Sequence, residues 1–368
     1  MGNRIVVKIG SSSLTSDEGG LNRSKLDFFA AELSALKQAG NDVVLVTSGA
    51  VAAGFRALGF ASRPKLLHEK QASAAVGQAL LMQAYQESFG RSGHIAAQIL
   101  LTRADFSNRR RIECAMMTME ELLRQGAIPV INENDTVATE ELNKFGDNDM
   151  LSSLVANLVK ANQLVILTDT DGLYTADPRF NQDAKRIERV TQLSEEIMQL
   201  AGGSGSSVGT GGMRSKLEAA RIAMRGGVPA FVGRAMEPGD LKLAVDGLGK
   251  GTYFETTNGN LPVKKQWLGF HSLPLGRIVV DEGAELALRN SGKSLLPAGV
   301  RQSEGDFHAG DVVEVVGLAG DIIGRGVVNY DAWQLKAIAG MNSDEVKRRI
   351  EVPRIEVIHR DEWITLKA

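Results

Sequence analysis

The stretch Arg4-Ile5-Val6-Val7-Lys8-Ile9-Gly10-Ser11-Ser12-Ser13 decides the fold. Its first six residues form an apolar run of strand length, and the chain then turns at once into a glycine and three serines. The same alternation repeats outward from it. Apolar runs of strand length recur at 42–47, 95–100, 128–132, 163–168 and 229–232. Helix-periodic stretches lie between them at 25–38, 69–89, 111–125, 150–159 and 213–225. Strands alternating with helices predict an α/β fold, an open, mostly parallel sheet sandwiched by helices. Gly40, Gly90, Gly126 and Gly226 each follow a helical stretch, where a left-handed glycine commonly ends a helix.

The pattern changes after 267–274, a segment read as a linker for its Gly269 and Pro274. Short β-like pieces follow at 277–281, 311–316, 322–328 and 354–358, separated by glycine turns. Two domains are therefore expected, 1–267 and a small, mainly β one over 276–368.

The 368 residues carry 42 Lys and Arg against 44 Asp and Glu, with 43% hydrophobic positions, an ordinary soluble globular balance. No run approaches the roughly 18 apolar residues of a membrane helix, and the N-terminus lacks a secretory layout, so a cytoplasmic protein is expected. A single cysteine, Cys114, excludes an internal disulfide or a multi-cysteine zinc site, and is read as a packing residue in a helix. Glycine stands out at 40 residues, which suggests many close backbone approaches.

In such a sheet ligands bind outside the carboxyl ends of the strands. Those ends are polar here: Lys8-Ile9-Gly10-Ser11, Thr47-Ser48-Gly49-Ala50, Asn132-Glu133-Asn134-Asp135 and Thr168-Asp169. Polar residues also end strands and cap helices without any function, so no one of them decides; four on one edge read as a crevice. Lys8 weighs more, because an ammonium inside an apolar strand needs an anion to offset its desolvation.

A second glycine-rich element, 202–212, holds six glycines in eleven residues and leads through Met213-Arg214-Ser215-Lys216 into a helix. Backbone amides at a helix start suit a phosphate, and Lys216 in that first turn opposes the helix dipole unless an anion lies nearby. A flexible surface loop is the other reading. Its Gly205-Ser206-Ser207-Val208-Gly209 lacks the preceding strand that a nucleophile elbow requires, which discounts a serine hydrolase. A third element, Gly146-Asp147-Asn148-Asp149, opens a helix, where acidic residues are also ordinary caps. No phosphate-loop, dinucleotide or His-Glu-x-x-His pattern occurs, and the five histidines lack metal spacing.

Taken in order, these motifs resemble the amino acid kinases, and the tail is similar to the PUA domain that some members carry. The resemblance spans nearly the whole chain: Val7 to Ser12, Val46 to Ala50, Val130 to Asp135, Gly146 to Asp149, Leu167 to Asp169 and Gly209 to Met213. It implies transfer of the ATP γ-phosphoryl group to the side-chain carboxylate of L-glutamate, at the head of proline biosynthesis, with Mg²⁺ carried by ATP and no dedicated protein ligands for it. It implies catalytic roles for Lys8, Lys216 and Asp149, and acceptor binding by Ser48, Asn134, Asp135 and Asn148. ATP binding is implied for Lys8, Gly10, Ser11, Thr168, Asp169, Thr210, Gly211, Gly212, Met213, Arg214, Ser215 and Lys216. Arg214-Ser215 stands where members often have Ser-Thr, and Gly10-Ser11-Ser12 where they often have Gly-Thr-Ser. Both changes keep the polar character.

The resemblance also implies a homo-oligomer and proline as feedback inhibitor. Two rivals are kept: a member of the same family acting on aspartate, acetylglutamate, carbamate or a nucleoside monophosphate, and an RNA-binding protein. PUA-like domains elsewhere bind RNA, yet this tail has 12 basic against 15 acidic residues and no general excess for phosphate neutralisation. Lys347-Arg348-Arg349 reads as a solvated helix face.

Overall fold

A computed structural model describes residues 2–16, 19–102, 105–106, 108–137, 148–178, 180–201, 212–256, 274–290, 292–350 and 354–366. The chain divides into two compact units, 1–102 with 116–259 and 103–115 with 260–368.

The first unit is built on eight strands: β1 (Arg4–Ile9), β2 (Asp42–Val46), β3 (Ala96–Leu101), β4 (Ile128–Glu133), β5 (Gln163–Leu167), β6 (Arg189–Val190), β7 (Ala230–Gly233) and β8 (Gly251–Phe254). Their order across the sheet is β3-β4-β2-β1-β5-β7-β8-β6. Every ladder is parallel except β7 with β8. β1 lies between β2 and β5, so Lys8 is in register with Val46 on one side and Ile166 on the other.

The helices are α1 (Arg23–Gln38), α2 (Ala50–Gly54), α3 (Leu67–Gly90), α4 (Arg109–Arg124), whose residues 109–115 fall to the second unit, α5 (Asn148–Leu158), α6 (Glu195–Leu200), α7 (Met213–Arg225) and α8 (Asp240–Val245). Alternation along β1 sorts the layers. Ile5, Val7 and Ile9 join a core with Leu26, Phe29 and Leu33 of α1, Leu81 and Tyr85 of α3, and Leu241 of α8. Each such aliphatic or aromatic side chain contributes about 1.5–3 kcal/mol on full burial. Val6 and Lys8 therefore face the other side, where α5 and α7 pack on each other and on β1, β5 and β7.

Gly40 and Gly126 end their helices with φ of 89° and 79°, as expected. The expectation fails at Gly90 and Gly226. Gly90 is the last residue of α3, and the left-handed turn falls at Gly93 with φ 74°. Gly226 is the helical C-cap of α7, followed by Gly227 at φ 82°. A Cβ on Gly226 would stand 2.2 Å from Asn157 Oδ1, so close packing explains that glycine. Cys114 lies in α4 but is exposed, not packed, because it falls off the buried line of Ile112, Met119 and Leu123.

The second unit holds β9 (Gly276–Val280), β10 (Val300–Gly305), β11 (Val312–Val316), β12 (Ile322–Val328) and β13 (Ile358–Thr365), in the order β10-β9-β11-β12-β13. Helices α9 (Glu282–Asn290), α10 (Ala332–Ile338) and α11 (Ser343–Arg349) complete it. Its core gathers Ile278, Val280, Val313, Val315, Phe307, Tyr330 and Trp363. The strand expected over 354–358 starts four residues late. Tyr330 Oη donates to the carbonyls of Arg354 and Ile355, and regular pairing with β12 runs over β13 instead. Lys347, Arg348 and Arg349 are exposed in the last turn of α11, where cations suit the helix dipole. The linker expected over 267–274 lies outside the described residues except for Pro274. Among the described residues no helix is long and apolar enough to cross a membrane.

Candidate active site

Because β4, β2, β1 and β5 are neighbours and parallel, their carboxyl ends form one row. Lys8 stands at that edge on the α5 and α7 face and is 3% exposed. Asp149, in the first turn of α5, is fully buried, with Oδ1 2.5 Å from Lys8 Nζ. Its Oδ2 is 3.2 Å from Lys216 Nζ of α7 and accepts from Ser215 Oγ at 2.8 Å. The helix dipole favours a carboxylate at the start of α5 and disfavours Lys216 near the start of α7. One carboxylate between two buried ammonium groups gives these three side chains a net positive charge, which suits an anion.

Of the nucleotide-binding candidates, Gly10 and the first turn of α7 meet this trio. A Cβ on Gly10 would stand 3.4 Å from Lys8 Nζ, so Gly10 borders the lysine head directly. Ser11 follows it in the turn, where Leu14 N–H donates to the Ser11 carbonyl. Thr168 follows β5 and donates through Oγ1 to Asp169 Oδ1 at 3.1 Å. Gly212 is the N-cap of α7, and Met213, Arg214, Ser215 and Lys216 form its first turn. Thr210 and Gly211, like Gly146 and Asp147 of the acidic motif, lie outside the described residues.

The neighbour of Asp149 builds a second cluster. Asn148 Nδ2 lies 2.7 Å from the Thr47 carbonyl, 2.8 Å from Ser48 Oγ and 3.0 Å from Asn132 Oδ1. Ser48, just after β2, and Asn148 of α5 are thus brought together. Asn134 is not in that contact; its Oδ1 accepts from Thr136 Oγ1 at 2.6 Å. Asp135, one residue on, is half-buried, and burial pushes its carboxyl up to about 6 despite the nearby Arg63. Burial, with the charge of Asp135 added, pushes Glu133 up to about 7.

Three supporting residues were missed from the sequence. Asn132 is an amide ending the apolar run Val130-Ile131, which is a signal in itself; it is 2% exposed and accepts from Asn148. Tyr85 Oη and Thr47 Oγ1 are 2.8 Å apart, and Gln78 accepts from Asn132 at 2.9 Å. Both sit in α3, where nothing local marks them. Helix α2 is drawn against α3 by two glycines. A Cβ on Gly77 would come within 1.8 Å of the Ala50 carbonyl, and one on Gly54 within 2.0 Å of the Ser73 carbonyl. Gly49, with φ 103°, makes the turn from Ser48 into α2.

The Amino acid kinase family model matches residues 3–234, and the PUA domain model matches 276–350. The chain belongs to the amino acid kinase family. Within it, the chain is 51% identical over 365 residues to the glutamate 5-kinase of Geobacillus kaustophilus, covering 99% of this chain and 97% of that relative. It is 50% identical over 368 residues to the glutamate 5-kinase of Bacillus cereus (strain ATCC 10987), covering 99% of each. A solved UMP kinase from Bacillus anthracis superimposes with a TM-score of 0.48 at 16% identity, over 70% of this chain and 97% of its own.

Proposed function

We propose that this chain transfers the γ-phosphoryl group of ATP to the side-chain carboxylate of L-glutamate, giving L-glutamyl 5-phosphate and ADP, the first step of proline biosynthesis. The observation that carries the chemistry is the buried trio of Lys8, Asp149 and Lys216 beside the Ser48 and Asn148 cluster. The acceptor's identity is supported by the glutamate 5-kinases, which match the chain from end to end.

The reaction breaks the bond from Pγ to the β,γ-bridging oxygen and forms one from Pγ to a carboxylate oxygen of glutamate. That carboxylate is already ionised at neutral pH, so no general base is needed. Asp149 is not suited to be one, since Lys8 holds one of its oxygens and Lys216 with Ser215 the other. Catalysis then rests on position and charge. Lys8 and Lys216 offset the negative charge on the transferring group, and Asp149 keeps both ammonium groups in place. Backbone amides after β1 and at the start of α7, with Thr168 and Asp169, hold the nucleotide. Mg²⁺ enters as part of the Mg-ATP substrate. With both Asp149 oxygens taken, the hydroxyls and amides at the strand ends fit an ion that keeps its water and phosphate ligands.

Ser48, Asn148, Asn134 and Asp135 bind glutamate, with ionised Asp135 facing its α-ammonium group. ADP release from Mg-ATP tests the reading with L-glutamate, L-aspartate and N-acetylglutamate in turn, hydroxylamine trapping the acyl phosphate. Glutamate-dependent release with hydroxamate formation is expected; turnover with another acid in preference to glutamate would replace the acceptor.

A further inference from the structure

Four carboxamides run head to tail behind the acceptor end of the site. Asn148 Nδ2 donates to Asn132 Oδ1 at 3.0 Å, Asn132 Nδ2 to Gln78 Oε1 at 2.9 Å, and Gln78 Nε2 to Gln98 Oε1 at 2.9 Å. They come from four elements, α5, β4, α3 and β3. A carboxamide donates at one end and accepts at the other, so a string of them has a direction. Turning one member alone sets donor against donor at one contact and acceptor against acceptor at the next.

Two backbone groups pin this direction. Glu133 N–H donates to Asn132 Oδ1 at 3.0 Å, and the Thr47 carbonyl accepts from Asn148 Nδ2 at 2.7 Å. Asn132 is 2% exposed, so its Nδ2 has no bulk water to turn to if the Gln78 oxygen is lost. The outer end is different, because Gln98 is exposed and free to rotate its amide against solvent. With Nδ2 of Asn148 held by its neighbours, the atom left over is Oδ1, buried and without a hydrogen-bond partner among the described residues. A spare acceptor suits a ligand that brings N–H donors, as an amino acid does.

We infer that Gln78 is a positioning residue, which through Asn132 reinforces the Thr47 carbonyl in fixing the end of the Asn148 carboxamide that is offered to the amino-acid acceptor. The inference rests on the acceptor site proposed above, and Gln78 itself touches neither substrate in it.

Steady-state kinetics of Gln78→Leu, Gln78→Glu and Gln78→Lys test it. Gln78→Leu removes the acceptor for Asn132 and raises the glutamate KM about tenfold, the equivalent of one lost buried hydrogen bond, while the ATP KM and kcat stay within about twofold. Gln78→Glu regains most of the glutamate affinity, since one oxygen still accepts from Asn132 and Gln98 turns to donate to the other. Gln78→Lys places a donor where the string needs an acceptor and raises the glutamate KM beyond that of the leucine variant. An unchanged glutamate KM in Gln78→Leu, a parallel rise in both KM values, or a glutamate variant no better than leucine would each overturn the inference. Wild-type inactivity toward L-glutamate would instead overturn the acceptor assignment. The amide string is then read without substrate, in crystal structures of the leucine and lysine variants. A turned or displaced Asn148 amide in the lysine variant supports it, and an unmoved one in both refutes it.

Discussion

Lys8 Nζ stands 2.5 Å from Asp149 Oδ1, and both side chains are buried. A strand end and a helix start are joined by this pair, and its second oxygen reaches Lys216 on another helix. In the proposed reaction the lysines act on charge that grows during transfer rather than on either substrate at rest. Lys8→Ala and Lys216→Ala are each expected to lower kcat by about a hundredfold or more, with a smaller rise in the glutamate KM. A wild-type kcat in either variant would remove it from the chemistry.

Asp149 has a structural duty as well. Replacing it by alanine leaves two buried ammonium groups facing each other without their anion. The expected cost is about 3–5 kcal/mol of unfolding free energy, the figure for breaking a buried pair from one side. Urea unfolding of Asp149→Ala measures it. A stability within experimental error of the wild type would show the lysines to be solvated without their partner.

Asp135 and Glu133 predict a pH dependence. Burial raises both, to about 6 and about 7, so the folded protein favours their protonated forms. The stability associated with those protons is full below the ordinary carboxylate range and is lost as pH rises through about 6 to 7. Glutamate binding is expected to move the opposite way, because in the proposed site its ammonium group faces ionised Asp135. The glutamate KM is expected to fall about fourfold from about pH 5.5 to 7.5, while the ATP KM stays flat, the two carboxyls titrating as a pair. Asp135→Ala should raise the glutamate KM and flatten that profile; a normal glutamate KM in the variant refutes the assignment.

Gly77→Ala probes the seating of α2. Its methyl group would meet the Ala50 carbonyl at 1.8 Å, a backbone atom that cannot swing aside. An overpacking penalty of about 1–3 kcal/mol is expected in thermal or urea unfolding. Because α2 begins two residues after Ser48, the glutamate KM should rise with it and the ATP KM should not. Equal changes in both would mean general loosening.

The central sheet was legible because each strand is an apolar run bounded by its own turn. Residues 4–9 and 213–225 coincide with β1 and α7. Lys8 stood out for a physical reason, an ammonium inside an apolar strand, and Asp149 is the anion it pairs with. β10 was not legible, since only Val300 and Ser303 of its six residues are buried and it reads as polar loop. β6 is only two residues long, and β8 opens on Gly251 and Thr252, so neither shows as an apolar run. The amides of Gln78 and Asn132 carry no local pattern, because their meeting depends on where α3 lies across the sheet. Glu32 is a similar case. It resembles a surface residue of α1, yet its buried carboxylate accepts from the N–H groups of Gly239 and Leu241 at the start of α8.

Asn148 and Asp149 are consecutive residues, one turned to the hydroxyl and amide cluster and the other to the two lysines. On the proposed assignment, a single peptide unit sets the gauge between the acceptor's recognition groups and the point of phosphoryl transfer. Sliding or tilting α5 moves both ends together and leaves that gauge unchanged. On the proposed acceptor site, a change in preferred acid length is therefore expected to come through groups on other elements, such as Ser48 or Asp135, and directed evolution toward shorter or longer acids should collect its substitutions there.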